Sequence, residues 1–212
     1  GGDELAPAGL AQVTEIIAAA DASTAWCLGQ AAGCAMSAAY LAPAIARRIF
    51  RPKNGVLAWG AGAQGKAVAV DGGYRVTGSW AFASGLHNAT WLGAHCKVFE
   101  SDGSARLRVD GRQMERTALF PLHKGRVHAV WNVMGLRGTG SDSYEVTDFF
   151  IPEEETLDRE ELAARQGGPV YRFSGSLVYA AAFGGVMLGI ARGAVDDLVA
   201  VHEGRRGVDG QR

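Results

Sequence analysis

The period of the apolar residues changes twice along the 212 residues, and that change limits the fold more than any other feature. Up to Phe50 the pattern is helical. Pro7 suits a first helical position, and Leu10, Val13, Ile17 and Ala20 then recur at helical spacing. Asp21-Ala22-Ser23-Thr24 is a break rich in cap residues. A second helix is predicted from Thr24 to Tyr40, dense in Ala, Gly and Cys, and Pro43 opens a third that ends near Phe50. From Gly55 short β-type runs follow: Val56–Trp59, Ala67–Val70, Tyr74–Ser84, Thr90–Phe99, Thr117–Phe120, Arg126–Trp131 and Tyr144–Ile151. Asp71-Gly72-Gly73 and Asp102-Gly103 are the hairpin turns between them. Beyond Pro152 an acidic stretch, Glu153 to Glu161, leads to a long helix from about Leu177 to His202. The expected class is α+β in several domains. N-terminal helices over 1–54 precede an antiparallel β-barrel or sandwich over 55–152, and 153–212 starts a helical bundle.

Lys+Arg 21 against Asp+Glu 22 gives a net charge of -1, so no basic field for nucleic acid is present. Cys27, Cys34 and Cys96 form no CxxC or zinc spacing and read as reduced, mostly buried thiols of a cytoplasmic protein. No metal site is expected, since His87, His95, His123, His128 and His202 are scattered without paired ligand spacing. The longest apolar run, Leu177 to Ala191, is shorter than the roughly 20 residues of a membrane span. Gly1-Gly2-Asp3 and Gly210-Gln211-Arg212 look like cuts inside a longer protein.

Gly60-Ala61-Gly62-Ala63-Gln64-Gly65 matches the glycine spacing of a dinucleotide fingerprint directly after a strand. The next residues alternate and turn instead of opening a helix, and no acidic residue follows about twenty positions on. The Rossmann reading therefore fails. A strand through Ser84 would place Val76, Gly78, Trp80, Phe82 and Ser84 on one face, an aromatic plate with a hydroxyl at its edge. An ordinary core aromatic with a strand-end serine fits the same pattern. In the polar loop Gly135–Asp142, Arg137 is a candidate anion or carbonyl ligand, and Thr139 and Ser141 are candidate hydrogen-bond partners. A plain glycine-rich hairpin with Asp142 closing an Asx-turn is the competing reading. His87 lies three residues beyond Ser84, but the acid that would orient it has no assignable position.

Five segments in order resemble the acyl-CoA dehydrogenase superfamily. They are Ala22–Gly29, Val70–Gly78, Phe82–Gly85, Gly135–Ser141 and Val146–Pro152. The resemblance covers nearly the whole chain and is closest to the flavin-dependent monooxygenase branch, the two-component aromatic hydroxylases. It implies a flavin, FAD or FMN, held between β-domain and bundle, or arriving reduced as a diffusible substrate from a separate reductase. It puts Ser84 near the flavin N5, with Phe82 against the ring system and Ala83 between them. The backbone around Trp59 would lie at the pyrimidine edge. Trp26, His87, Arg137, Thr139 and Ser141 are the candidate substrate-binding residues. The catalytic base of such enzymes lies in the later bundle, beyond Arg212, so none is assigned. The implied activity is hydroxylation of a small aromatic or cyclic molecule with O2. A dehydrogenase with bound FAD is the alternative, and a non-catalytic interaction module the outside one. Trp59-Gly60-Ala61 and Gln64-Gly65-Lys66 depart from the dehydrogenase pattern of Thr-Glu-Pro and Gly-Ser-Asp. The resemblance further implies a homo-oligomer, most simply a tetramer. Ala181, Gly185, Gly189 and Gly193, four apart on one face, would let partner helices approach, though simple core packing explains the same stripe.

Overall fold

The computed structural model describes residues 4–160 and 167–209. The expected cut ends at Gly1–Asp3 and Gly210–Arg212, and Glu161 at the end of the acidic stretch, lie outside the described residues. The architecture is α+β: three helices, a curled mixed sheet, then one long helix.

Helix α1, Pro7–Ala20, ends at Asp21, whose carboxylate accepts the Thr24 N–H at 2.6 Å and caps α2, Ala22–Ala35. The α-helix stops at Ala35 and tightens into a 3-10 turn, Met36–Tyr40, so the second helix is shorter than its pattern suggested. Helix α3, Pro43–Phe50, starts at its proline as expected. The buried stripe of α1 is Leu10, Thr14 and Ala18, whereas Ala20 is exposed. Thr14 is polar at the centre of that stripe because its hydroxyl has carbonyl partners there, Leu10 O and Ala182 O, each at 3.0 Å.

The strands are β1 Leu57–Trp59, β2 Gly65–Val70, β3 Gly73–Trp80, β4 Trp91–Phe99, β5 Glu115–Pro121, β6 Arg126–His128, β7 Ser143–Pro152 and β8 Thr156–Leu157. They form one sheet in the order β6-β7-β3-β2-β4-β5-β8, with β1 also on β4. The sheet is mixed rather than purely antiparallel, because both β1 and β2 run parallel to β4. These two short strands are one line of chain interrupted. From Trp59 to Gly65 the chain advances six residues while β4, from Gly93 to Cys96, advances three. The glycine-rich segment is therefore a loop-out inside a strand line, which is why no helix follows it. The sheet curls until β5 faces β7, where Phe120 meets Tyr144 and Phe149. Trp80, Phe120, Tyr144, Leu92 and Val98 fill the interior. Of the three unpaired thiols, Cys34 and Cys96 are buried, which pushes both up to about 12, and Cys27 is half-buried.

Helix α4, Gly175–Asp209, is longer than the 177–202 of the sequence pattern. A Cβ on Gly185, Gly189 or Gly193 would lie 2.2 Å from Ala11 O, 2.3 Å from Glu15 O or 2.8 Å from Ala19 O. The glycine stripe thus seats α4 on α1 of the same chain. Its N-terminal member is the buried Ala182, not the half-buried Ala181. The opposite side of α4 exposes Met187, Leu188, Val195 and Leu198. Within Gly175–Glu203 a stretch of 18 residues has a mean hydropathy of 1.5, so this is the one described helix long and apolar enough to cross a bilayer. The 15-residue apolar run understated that, since single polar residues break a run without lowering the average much.

Candidate functional site

The site grows out of the chain leaving β3. Trp80, the last strand residue, is fully buried. It stacks on Tyr144 at 5.4 Å and donates its indole N–H to His95 O at 2.9 Å. Two residues on, Phe82 is 65% exposed. The alternation that put Trp80, Phe82 and Ser84 on one face is broken at Phe82, whose φ of 61° lies in the left-handed region. That inversion ends the strand and turns the phenyl ring outward, where it meets Trp131 edge-on at 6.2 Å. Ala83 is buried, with its N–H on Asp142 O at 3.0 Å. Ser84 is 9% exposed, and its hydroxyl is turned toward Trp26 of α2.

There Ser84 joins a line of polar groups from three parts of the chain. The Trp26 indole N–H, from α2, donates to Ser84 Oγ at 3.0 Å. Ser84 Oγ lies 2.7 Å from Ser141 Oγ, and Ser141 Oγ lies 2.7 Å from Thr139 Oγ1. Thr139 donates to Leu136 O at 2.9 Å, and Trp131 donates its indole N–H to the same carbonyl at 3.1 Å. Ser141 and Thr139 are buried. Trp26 is fixed from behind by Phe183 of α4, stacked at 4.3 Å and 7°. Leu136 and Gly140, which flank the 3-10 turn Arg137–Thr139, both have left-handed backbone, φ 53° and 50°. Strained non-glycine backbone at both Phe82 and Leu136 persists because the surrounding hydrogen bonds over-determine it.

His87 and Asp142 complete the cluster. His87 Nε2 is 2.7 Å from Asp142 Oδ2, while Oδ1 of the same carboxylate accepts the Val130 and Trp131 N–H groups, each at 2.7 Å. Burial would raise the Asp142 carboxyl; the bonds from Trp131, His87 and Val130 outweigh it and hold the group below the usual range. His87 leaves its remaining ring nitrogen on the open side, with 60% of its side chain exposed. Gly140 suits its left-handed backbone, and a Cβ there would sit 2.6 Å from His87 Cδ2, so the imidazole would have to shift. Asp142 is the orienting acid that sequence spacing did not locate. The only signal was His87 itself, a histidine without a visible partner.

Two candidate residues stand apart. The Trp59 side chain packs edge-on against His95 at 4.8 Å with Arg159 over its ring, in a cluster different from that of Ser84. Burial pushes His95 down to about 3, so it is neutral there. Only the backbone beside Trp59 approaches the site, through Ala61 N–H on Ala81 O at 3.3 Å. Arg137 is exposed and its side chain has no partner among the described residues. Among those residues no group of His, Cys, Asp and Glu is arranged to hold a metal.

No family model matches the chain. The oxygenase subunit HsaA of a flavin-dependent monooxygenase from Rhodococcus jostii is 33% identical over 150 residues, 67% of this chain and 37% of its own length. An indole-3-acetate monooxygenase from Pseudomonas putida is 31% identical over 220 residues, 99% of this chain and 52% of its own. The chain is homologous to the oxygenase components of flavin-dependent monooxygenases. This homologue also has their acyl-CoA dehydrogenase-like fold. XiaF from Streptomyces sp., solved in complex with FADH2 and glycerol, superposes with a TM-score of 0.82 at 25% identity, over 94% of this chain and 50% of XiaF. The homologue thus spans about half the length of the relatives it matches, or less.

Proposed function

We infer that the chain carries the flavin-facing part of a two-component monooxygenase, which takes reduced flavin from a separate reductase and uses O2 to hydroxylate a small aromatic or cyclic substrate. The observation that carries this reading is the Ser84 cluster. An exposed aromatic ring, Phe82, stands two residues from a hydroxyl held by Trp26 and Ser141. A flat heteroaromatic ring needs those two things, an apolar surface and a polar group at its edge. The residues therefore fit a flavin, FAD or FMN. Phe82 would lie against the ring system, Ser84 would meet the N5 edge, and the backbone of Ala83 and Trp59 would line the remaining side. Bound reduced flavin supplies the electrons that activate O2. The chain's own contribution is to orient the ring and keep water away from its reactive edge. The stacked pair Trp26–Phe183 supports Ser84 from the protein side. Thr139 and Ser141 serve Ser84, and the open side of His87 and the free guanidinium of Arg137 are placed to meet substrate.

The dehydrogenase alternative is less well supported. The relatives named above are monooxygenases, and the segments around Trp59 and Gln64 depart from the dehydrogenase pattern. The same reading includes a base supplied by sequence outside this chain, a cytoplasmic location and a homo-oligomer, most simply a tetramer. The apolar side of α4 supports the last of these, since Leu188, Val195 and Leu198 are left open to solvent. The division into 1–54, 55–152 and 153–212 belongs with it.

Oxygen uptake by the intact protein with a flavin reductase and NADH tests the activity. Substrate-dependent uptake with a hydroxylated product is expected. Reduction of bound FAD by an acyl-CoA without O2 chemistry would decide for the dehydrogenase. Ser84→Ala should weaken flavin binding by about 0.5–1.5 kcal/mol, the worth of one neutral hydrogen bond.

A further inference from the structure

The polar line through Ser84 has two ends of different kind. The Trp26 indole N–H is a donor and nothing else, and the Leu136 carbonyl oxygen is an acceptor and nothing else. Between them stand three hydroxyls, each with one hydrogen to give. The four links measure 3.0, 2.7, 2.7 and 2.9 Å, all hydrogen-bond distances. One arrangement of hydrogens fills every link: Trp26 to Ser84, Ser84 to Ser141, Ser141 to Thr139, and Thr139 to Leu136 O. The reverse order would set Thr139 Oγ1 and Leu136 O 2.9 Å apart with no hydrogen between them. Leu136 O already accepts the Trp131 indole N–H and the Thr139 N–H, so the reverse order would press the lone pairs of the buried Thr139 hydroxyl against an oxygen with no hydrogen to share.

The Ser84 hydrogen is therefore committed to Ser141, and what remains for a ligand is an oxygen lone pair. We propose that Thr139 and Ser141 are positioning residues that hold Ser84 as a pure hydrogen-bond acceptor, so that the site selects a ligand edge that donates. This rests on the flavin reading given above and sharpens it. N5 of the reduced ring carries a hydrogen and suits such an acceptor. N5 of the oxidised ring is itself an acceptor and meets lone pair with lone pair. The serine hydroxyl alone does not discriminate, because a free hydroxyl turns to suit either form. The discrimination comes from two residues behind it.

The test compares dissociation constants of the intact protein for oxidised FAD and, without oxygen, for FADH2, with FMN and FMNH2 in parallel. The wild type binds the reduced form more tightly. Ser141→Ala removes the acceptor of the Ser84 hydrogen. Thr139→Val removes the acceptor of the Ser141 hydrogen, which then turns onto Ser84 and frees the serine by a second route. Each variant narrows the reduced-to-oxidised preference about 3- to 10-fold, mainly by strengthening oxidised binding. A purely structural role would weaken both forms together and leave the ratio unmoved. An unchanged ratio in whichever of Ser141→Ala and Thr139→Val folds, with flavin still bound, overturns the proposal and leaves the flavin reading standing. Failure of the wild type to bind either form overturns the flavin reading and this proposal with it.

Discussion

Trp80, Phe120 and Tyr144 meet inside the curled sheet with no exposed surface, whereas Leu188, Val195 and Leu198 of α4 lie open on the far side of a helix whose near side is pressed onto α1. The sheet closes a core within itself, because its own strands supply both walls. The helix pair closes one seam, and from Gly185 to Gly193 closes it by removing side chains rather than interlocking them. Stability in the first region depends on volume filled, and in the second on how near two backbones come. The candidate site hangs between the two regions. Ser84 belongs to the chain leaving the sheet, and the Trp26 that donates to it is stacked on Phe183 of α4.

The largest test of this contrast is Trp80→Ala. Emptying the centre of the sheet and losing the bond to His95 O should cost about 3–5 kcal/mol, read from the denaturant midpoint. A loss below about 1 kcal/mol would show that the sheet core is not the stabilising region. Next is Gly189→Leu. Its side chain would start 2.3 Å from Glu15 O and force α1 and α4 apart, for about 1–3 kcal/mol. That loss should not depend on protein concentration, because α1 and α4 belong to one chain. A concentration-dependent loss would move the glycine contact to an interface between copies.

A pH titration gives a smaller effect and probes the joint between the regions. Folding favours the ionised form of Asp142, so its contribution is full above the ordinary aspartate range near pH 4. It is lost as the pH falls through the depressed value. Asp142→Asn should flatten that part of the acid-unfolding curve, and an unaltered curve would remove the carboxylate from the account. The smallest effect on folding is expected from Leu198→Glu. On an open face it should change chain stability by no more than about 0.5 kcal/mol. Light scattering of the intact protein is the sensitive readout there, since a charge on a covered interface dissociates copies. A large loss of stability in a monomer would show that the face is covered from within.

Sequence reasoning reached the succession of helices, strands and helix because each segment keeps its own apolar period over many residues. It also rejected the dinucleotide fingerprint, because a helix was required after Gly65 and the residues there alternate. Its failures share a cause. A period of two puts Trp80 and Phe82 on one face only while the backbone stays extended, and the left-handed φ of Phe82 leaves no trace in composition. Asp142 looks like a turn residue in sequence because its partner, His87, lies 55 residues away. The glycine stripe correctly announced a close approach of helices, yet a stripe does not say to what. The neighbour proved to be α1, more than 150 residues earlier in the same chain. Ser84, Ser141 and Thr139 were each named as candidates, but only the fold shows that they touch.

The loop-out between β1 and β2 bears on how this protein can change without losing its shape. Both strands already lie along the same neighbour, β4, and differ in offset by three residues. Removing three residues from 60–64 would merge them into one continuous strand in unchanged alignment, and adding residues would only lengthen the excursion. The segment is an expansion joint, the one place along this strand line where insertions and deletions leave the pairing on either side intact. Ala61 also holds the carbonyl of Ala81, the residue before Phe82. The joint therefore touches the chain one residue before the aromatic ring of the candidate site, while the strand pairing on either side stays as it is.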